Sequence, residues 1–262
     1  MMVTERNKEL SPEQNMNNTI KLIHITDLHL GDNLGDQLSA VDCDQSLLQI
    51  LERVQNEEFD LLLITGDITN HGAVSAYQRL QEYLKDIAPK PIYLLPGNHD
   101  NWSNAEKVFQ YLPKHIVLGD WQIILLDSNE GNHHYGQLSQ QELQFLEQSL
   151  SVSQAKYSLI ALHHHPVDIA SPWMDAMRVK NNSEFFDIIN RFSSPRAVVW
   201  GHIHQEFDKY HSGVRLLSSP STCTQFMPMT EKHEKDTRLP GYRQIVLATD
   251  GSIETKVIRL AN

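Results

Sequence analysis

The sequence predicts an α/β fold, strands joined by crossover helices, on two observations. From Thr19 onward, short aliphatic or β-branched runs alternate with segments of helical period, and five of those runs end in a cluster of Asp, Asn or His. The first run, "TIKLIHIT" (19–26), precedes "DQSLLQILERVQNE" (44–57), where Leu47, Ile50, Leu51 and Val54 keep the spacing of an amphipathic helix. Asp44 is its expected N-cap. "FDLLLIT" (59–65) and "PIYLL" (91–95) read as strands separated by a helix, "SAYQRLQEYLKDI" (75–87). "WQIILL" (121–126) leads into "SQQELQFLEQSLS" (139–151), in which Ser139 and Glu142 form a capping-box pair ahead of Leu143 and Leu146. "YSLIAL" (157–162), a helix in "NSEFFDIINRF" (182–192) and "RAVVW" (196–200) continue the alternation. Beyond His204, "VRLLS" (214–218) is strand-like, and "RQIVLAT" (243–249), a "DGS" turn and "IETKVIRL" (253–260) predict an antiparallel hairpin.

A chain of 262 residues with 40% hydrophobic content has room for a substantial core. No apolar run approaches the roughly 20 residues that a spanning helix needs. Residues 1–18 are polar and read as a disordered tail ahead of one domain over 19–262; the absence of an apolar leader there predicts a cytoplasmic protein. Cys43 and Cys223 form no C-x-x-C pair, so neither a disulfide framework nor a thiolate metal site is expected, in keeping with a reducing compartment. The formal net charge of −11, from 33 acidic and 22 basic residues, argues against long nucleic acid or an anionic membrane as main partner. An anionic substrate then needs a local positive source, and 14 histidines with carboxylates suit bound Mn, Fe or Zn.

The five clusters are Asp27 and His29, Asp67, Asn98 to Asp100, His163 to His165, and His202 with His204. In α/β sheets, sites form beyond the carboxyl ends of strands, so the clusters are expected to converge. Gly66, Gly97 and Gly201 stand directly before three of them, permitting tight turns and close backbone approach. Each cluster alone has a plainer reading: Asp67 as a turn residue or cap, "GNHD" as a polar turn, "GHIH" as an edge fragment with both rings on one face. One shared cause explains all five together. Asp27, His29, Asp67, Asn98, one of the three consecutive histidines, His202 and His204 exceed the four ligands of a structural zinc site. Two metals sharing a carboxylate, with Asp67 as the natural bridge, absorb them, and such a pair serves phosphoester hydrolysis.

The order "D-x-H", "GD", "GNHD", "HH-P" and "GH-x-H" over residues 21–204 resembles the calcineurin-like metallophosphoesterase superfamily. "LLPGNHD", "WQIILLDS", "LHHHP", "GHIHQE", "SSPSTCTQFMP" and "PGYR" narrow the resemblance to the bacterial class III 3′,5′-cyclic AMP phosphodiesterases, over nearly the whole chain. The resemblance implies a four-layer α/β/β/α sandwich of two mostly mixed sheets flanked by helices. It implies one metal on Asp27, His29 and His204, a second on Asn98, His163 and His202, and Asp67 between them. Iron, manganese or both are the implied metals, with zinc as the alternative. His99 is implied as the group that touches phosphate or protonates the leaving group, with Asp100 orienting its ring. Substrate contacts are implied for His29, Asp67, Asn98, His99 and His204. The implied reaction is attack of a metal-bound hydroxide on cyclic AMP to give 5′-AMP, by a monomer or homodimer. A one-residue slip would replace His163 by His164. Tyr135 stands where a family histidine is expected, so His133 and His134 receive no role, nor do His71, His115, His211 and His233. His24, inside a strand, reads as structural. Cys223 falls near the implied nucleotide pocket, with a small buried residue as the equal alternative. The rival functions are a superfamily diesterase acting on a glycerophosphodiester, another cyclic nucleotide or a nucleotide-lipid, and a scaffold without catalysis.

Overall fold

The computed structural model describes residues 19–87, 90–131 and 133–261; the expected tail over 1–18 lies outside them. In chain order, β1 (Ile20–Ile25) is followed by the short strands β2 (Gln37–Leu38) and β3 (Val41–Asp42), α1 (Cys43–Gln55), β4 (Leu61–Thr65), α2 (Val74–Tyr83) and β5 (Ile92–Leu95). Then come α3 (Trp102–Val108), β6 (His115–Leu118), β7 (Trp121–Leu125), α4 (Gln140–Val152), β8 (Tyr157–Ala161), α5 (Pro172–Asp175), α6 (Asn182–Ile189) and β9 (Pro195–Trp200). The chain closes with β10 (Phe207–His211), β11 (Val214–Ser218), β12 (Gly241–Leu247) and β13 (Ile253–Arg259). One mixed sheet has the order β13-β12-β1-β4-β5, the other β10-β11-β9-β8-β7-β6. Strands β1, β4 and β5 run parallel in the first, as do β7, β8, β9 and β11 in the second.

Alternation along the strands explains why the central runs are apolar at every position. Leu61 and Leu63 of β4 enter a core between the sheets with Leu22, Trp121, Leu159 and Val199. Leu62 and Ile64 enter a second core with residues of α1, α2 and α3, among them Leu47, Tyr77 and Ala105. In the other sheet, Ile160, Val198 and Trp200 pack with Leu146 of α4 and Phe185 of α6. The four layers are helices, sheet, sheet, helices. A strand buried on both faces shows no polar alternation, which is why these runs resemble parallel-sheet strands in sequence.

The predicted C-terminal hairpin is β12 and β13, antiparallel from Leu247 opposite Ile253, and β12 completes the first sheet by pairing with β1. The cap of α1 differs from expectation. Asp42, not Asp44, accepts from the Gln45 N–H at 2.9 Å, while Asp44 is buried and accepts from Arg79 Nε at 2.8 Å and Tyr83 OH at 2.9 Å. Ser139 caps α4 by accepting from the Glu142 N–H at 3.2 Å. The Glu142 carboxylate serves elsewhere, accepting from the Asp127 N–H at 3.0 Å, so the capping box is only half made. Replacing Leu63, fully buried between the sheets, by Ala is expected to cost about 2–5 kcal/mol of unfolding free energy. Denaturant titration checks this; a loss below about 1 kcal/mol contradicts a filled inter-sheet core.

Candidate metal centre

The strand ends of both sheets open onto one cavity of about 220 Å³, whose lining includes His29, Asp67, Asn98, His99, His202 and His204. Backbone geometry brings them there. Asp27, His29, Asp67, His202 and His204 all have positive φ, from 47° to 65°, a conformation that costs a non-glycine residue about 1 kcal/mol or more and needs support from its surroundings. That support is a set of crossed loop contacts. The N–H groups of Asp27 and His29 donate to the Gly66 and Asp67 carbonyls at 3.1 and 2.9 Å, and the Gly201 N–H donates to the His163 carbonyl at 3.2 Å. Glycine is required where loops touch. A Cβ on Gly97 would lie 2.2 Å from the Asp67 nitrogen and carboxylate, and one on Gly201 would lie 1.9 Å from Thr26 Oγ1.

The side chains meet as two groups around Asp67. Its Oδ2 lies 3.6 Å from His29 Nε2, and its Oδ1 lies 3.4 Å from His163 Nε2. Asp27, His29 and His204 offer ligand atoms within 4.8 Å of one another, as do Asp27, Asp67 and His163. His29 Nε2 and His204 Nε2 face each other at 3.1 Å, and Asn98 Oδ1 lies 3.2 Å from His163 Nε2. His163 Nδ1 donates to the Thr65 carbonyl at 2.8 Å and His204 Nδ1 to the Thr224 carbonyl at 2.9 Å, which fixes the ring angle and turns Nε2 toward the other clustered side chains, as second partners of metal-binding imidazoles do. His164 Nδ1 pairs instead with Ser128 Oγ at 2.8 Å, so Asp67 and Asn98 face His163. His202 rests its ring against His163, His164 and His165 at 5.1, 4.6 and 5.7 Å.

These residues fit a metal cation. The set is buried and rich in lone pairs but short of donors; His202 Nε2, His164 Nε2 and His29 Nδ1 have no hydrogen-bond partner. Burial pushes His29 down to about 4 and holds His202 and His204 well below the usual imidazole range, so all three are neutral and able to ligate. Burial pushes Asp27 up to about 7. Burial also works to lower His163, but the charge and hydrogen bond of Asp67, with Asp27, carry it up to about 9. Burial works to raise Asp67, and the His163, His29 and His99 charges overcome it and hold Asp67 well below the carboxylate range. The proton on His163 stands where positive charge is demanded.

The calcineurin-like phosphoesterase family model matches residues 20–206, the stretch that holds all five clusters. The chain belongs to this family. A 3′,5′-cyclic adenosine monophosphate phosphodiesterase of Vibrio vulnificus is 40% identical over 254 residues, 94% of this chain and 92% of its own. Its counterpart in Haemophilus influenzae is 37% identical over 248 residues, 92% and 90% of the two chains. A 3′,5′-cyclic-nucleotide phosphodiesterase of Nostoc is 36% identical over 247 residues, 92% of each. Among solved structures, a dimetal phosphatase from Danio rerio superposes with a TM-score of 0.62 at 14% identity, over 92% of this chain and 99% of that one. GAP50, the anchor in the inner membrane complex of Plasmodium, gives 0.66 at 12% identity, over 92% and 84%. Identities this low establish the fold alone.

Within this phosphoesterase frame, two expectations require correction. Asp100 does not orient His99. Its carboxylate accepts from the N–H groups of Gly97, Ile68 and Thr69 at 2.9 to 3.1 Å and from Tyr77 OH at 2.9 Å, locking the loops after β4 and β5 together. His99 Nδ1 instead donates to the Asn70 carbonyl at 3.0 Å, and its backbone N–H donates to Asp67 Oδ1 at 2.9 Å. The second correction concerns the cysteines. Cys43 at the start of α1 and Cys223 beyond β11 are disulfide-linked, with Cα atoms 5.0 Å apart across a separation of 180 residues. Folding, not spacing, makes this pair, and cysteine usage gives no support to a reducing compartment. The cavity also recruits Phe226, from the quoted "SSPSTCTQFMP" stretch, and His134, Trp173, Met174, Met177 and His233, to which no motif assigned a role. His24 is structural as expected, bonded to Thr65 Oγ1 at 2.7 Å and Ser219 Oγ at 2.6 Å. Among the described residues, no helix is long and apolar enough to cross a membrane.

A group must shed its proton to bind a metal, so protons compete below its pKa and affinity rises with pH. Titration calorimetry with Mn²⁺ in buffers of different ionisation heat is therefore expected to show proton release below about pH 9, from His163, and weaker binding toward pH 6. An affinity independent of pH contradicts this electrostatic reading. Replacing Cys43 by Ser is expected to cost about 2–4 kcal/mol of stability under oxidising conditions; identical melting of variant and wild type shows that the link carries none.

Proposed function

We propose that the chain hydrolyses 3′,5′-cyclic AMP to 5′-AMP at a dinuclear metal centre. The observation that carries the reading is Asp67, whose two oxygens face His29 and His163 in separate ligand groups. Asp27, His29, Asp67 and His204 would hold one metal, and Asp67, Asn98, His163 and His202 the other. Imidazole with carboxylate and amide oxygen suits iron or manganese, with zinc as the alternative. A bound metal pair supplies Lewis acidity toward phosphoryl oxygen and a water that is nucleophilic at neutral pH.

The chain's own residues supply the rest. His99, with Nδ1–H engaged by the Asn70 carbonyl, keeps one ring nitrogen for substrate. In its protonated form that nitrogen hydrogen-bonds phosphate and gives its proton to O3′ as the P–O3′ bond breaks and the water oxygen bonds phosphorus. The opened ring is 5′-AMP with a free 3′-hydroxyl. The buried loops exclude bulk water, and the Asp67 contact to the His99 N–H fixes the spacing between the proton donor and the metal bridge. The Vibrio, Haemophilus and Nostoc relatives support the cyclic nucleotide as substrate by their names. The acidic charge supports a small-molecule substrate rather than nucleic acid or membrane. Residues 19–262 act as one domain in this reading, in the cytoplasm, where reduction would open the Cys43–Cys223 disulfide of this structure.

Protein loaded with Mn²⁺ is expected to convert cyclic AMP to 5′-AMP, resolved from 3′-AMP by chromatography, with chelator abolishing turnover. Another diester turned over in preference, a glycerophosphodiester for example, moves the substrate assignment; a fully metallated protein inert toward every diester leaves the scaffold. His99→Ala is expected to lower kcat about 10²- to 10⁴-fold at unchanged metal content. A metal-free variant would make His99 a ligand instead.

A further inference from the structure

We infer that Trp173, Phe226 and His233 form a stacking wall for the nucleobase, and that this wall, not the metal centre, selects cyclic nucleotides among small phosphodiesters. The inference rests on the proposed function for its substrate class and on the ring geometry for its location. All three rings line the same cavity as the metal cluster. Phe226 stacks on His204 with centroids 4.1 Å apart and planes 10° from parallel. Trp173 meets Phe226 edge to face at 5.4 Å and 73°. His233 stands edge-on to both, 5.1 Å from Trp173 and 4.8 Å from Phe226. Rings therefore continue outward from a metal-site imidazole without a break. A cyclic nucleotide with its phosphate at the cluster carries its base one ribose away, in the direction of this wall.

The wall is built in advance. Trp173 Nε1 donates to Thr230 Oγ1 at 3.2 Å, and the Thr230 N–H donates to Ser171 Oγ at 3.3 Å, which joins the α5 start to the loop that carries Phe226. Phe226 and Lys235 form a bridge, and the Met227 N–H donates to the Glu234 carbonyl at 2.8 Å, holding His233 within that loop. Trp173 and Phe226 also pack against the helix-side core of the second sheet. Core packing alone accounts for their buried faces; it does not account for half-buried rings turned toward a cavity that ends on two metal-ligand groups. Planar bases stack on aromatic faces irrespective of their hydrogen-bond pattern, so the wall selects for a base and prefers the larger purine surface. Its contribution is to binding, because the wall touches no atom that changes bonds.

The test compares Mn²⁺-loaded wild type, Trp173→Ala and Trp173→Phe on cyclic AMP and on abasic ribose 3′,5′-cyclic phosphate, with metal content measured in each. Trp173→Ala is expected to raise KM for cyclic AMP by about tenfold or more, with a smaller change in kcat and no matching loss on the abasic diester; Trp173→Phe restores most of the difference. Equal losses on both substrates, or none on either, overturn the wall. A wild type that leaves cyclic AMP intact while cleaving another diester removes the functional reading, and binding then decides the wall. Calorimetry with 5′-AMP and ribose 5-phosphate needs no turnover: AMP must bind more tightly than the base-free phosphate in wild type, and Trp173→Ala must erase that preference. Equal binding of both by wild type overturns the wall.

Discussion

The carboxylate of Asp27 is the point where the two sheets are tied together. Both of its oxygens accept the His202 N–H from the opposite sheet at 3.0 Å. Its own N–H reaches the Gly66 carbonyl, and its carbonyl accepts from Ser221 Oγ at 2.7 Å. One residue thus joins the loops after β1, β4, β9 and β11. Burying a carboxylate is costly unless positive charge accompanies it, and burial, with the nearby Asp67 charge, pushes Asp27 up to about 7 even against the His163 charge and the hydrogen bonds it accepts. Closing the sheets over Asp27 therefore creates the demand that a cation meets. Fold closure and metal affinity come from the same buried charge.

The candidate ligands are held from behind by a polar layer. His24 spans Thr65 Oγ1 and Ser219 Oγ, linking the end of β4 to the loop after β11. Burial, helped by the Arg243 charge, pushes His24 down to about 3, so this link stays neutral across the working pH range. Arg243 itself donates to the Ser218 carbonyl at 2.7 and 3.1 Å and to the Phe207 carbonyl at 3.1 Å. Left-handed residues at five candidate ligand positions need such bracing, because a loop free to relax would return them to ordinary φ and scatter the side chains.

How much of this was readable in the sequence depends on what each feature asks of residue type. Metal ligands need His, Asp or Asn, and their loops need Gly66, Gly97 and Gly201 where backbones touch, so strand ends and clusters stood out together. The central strands were visible as apolar runs. Edge elements were not: β10 is mostly exposed along "FDKYH" and lacks a buried face to impose a pattern, while α5, with four residues, is too short to show a period. Adjacency misled at Asp100, since neighbouring side chains on a turn diverge and Asp100 faces backbone N–H groups while His99 faces the cavity. The pairing of Cys43 with Cys223 and the meeting of Trp173 with Phe226 leave no local trace either, because each is made by tertiary closure between distant segments.

A division of labour along the chain follows from where each part lies. The segment matched by the family model, residues 20–206, contains every candidate ligand. The segment after it supplies β10 to β13, the Thr224 carbonyl that sets the His204 ring, and Phe226 and His233 beside the cavity. Cys43 to Cys223 fastens that later segment to α1, three residues before Phe226. A metal pair held by these residues would supply the same Lewis acidity to any phosphodiester that reached it, so discrimination would reside in the surfaces that surround the phosphate. Those surfaces lie largely on loops outside the ligand-bearing strands. Loops of that kind can change without disturbing the buried charges that hold the two sheets together, which lets one metal site serve different diesters on the same frame.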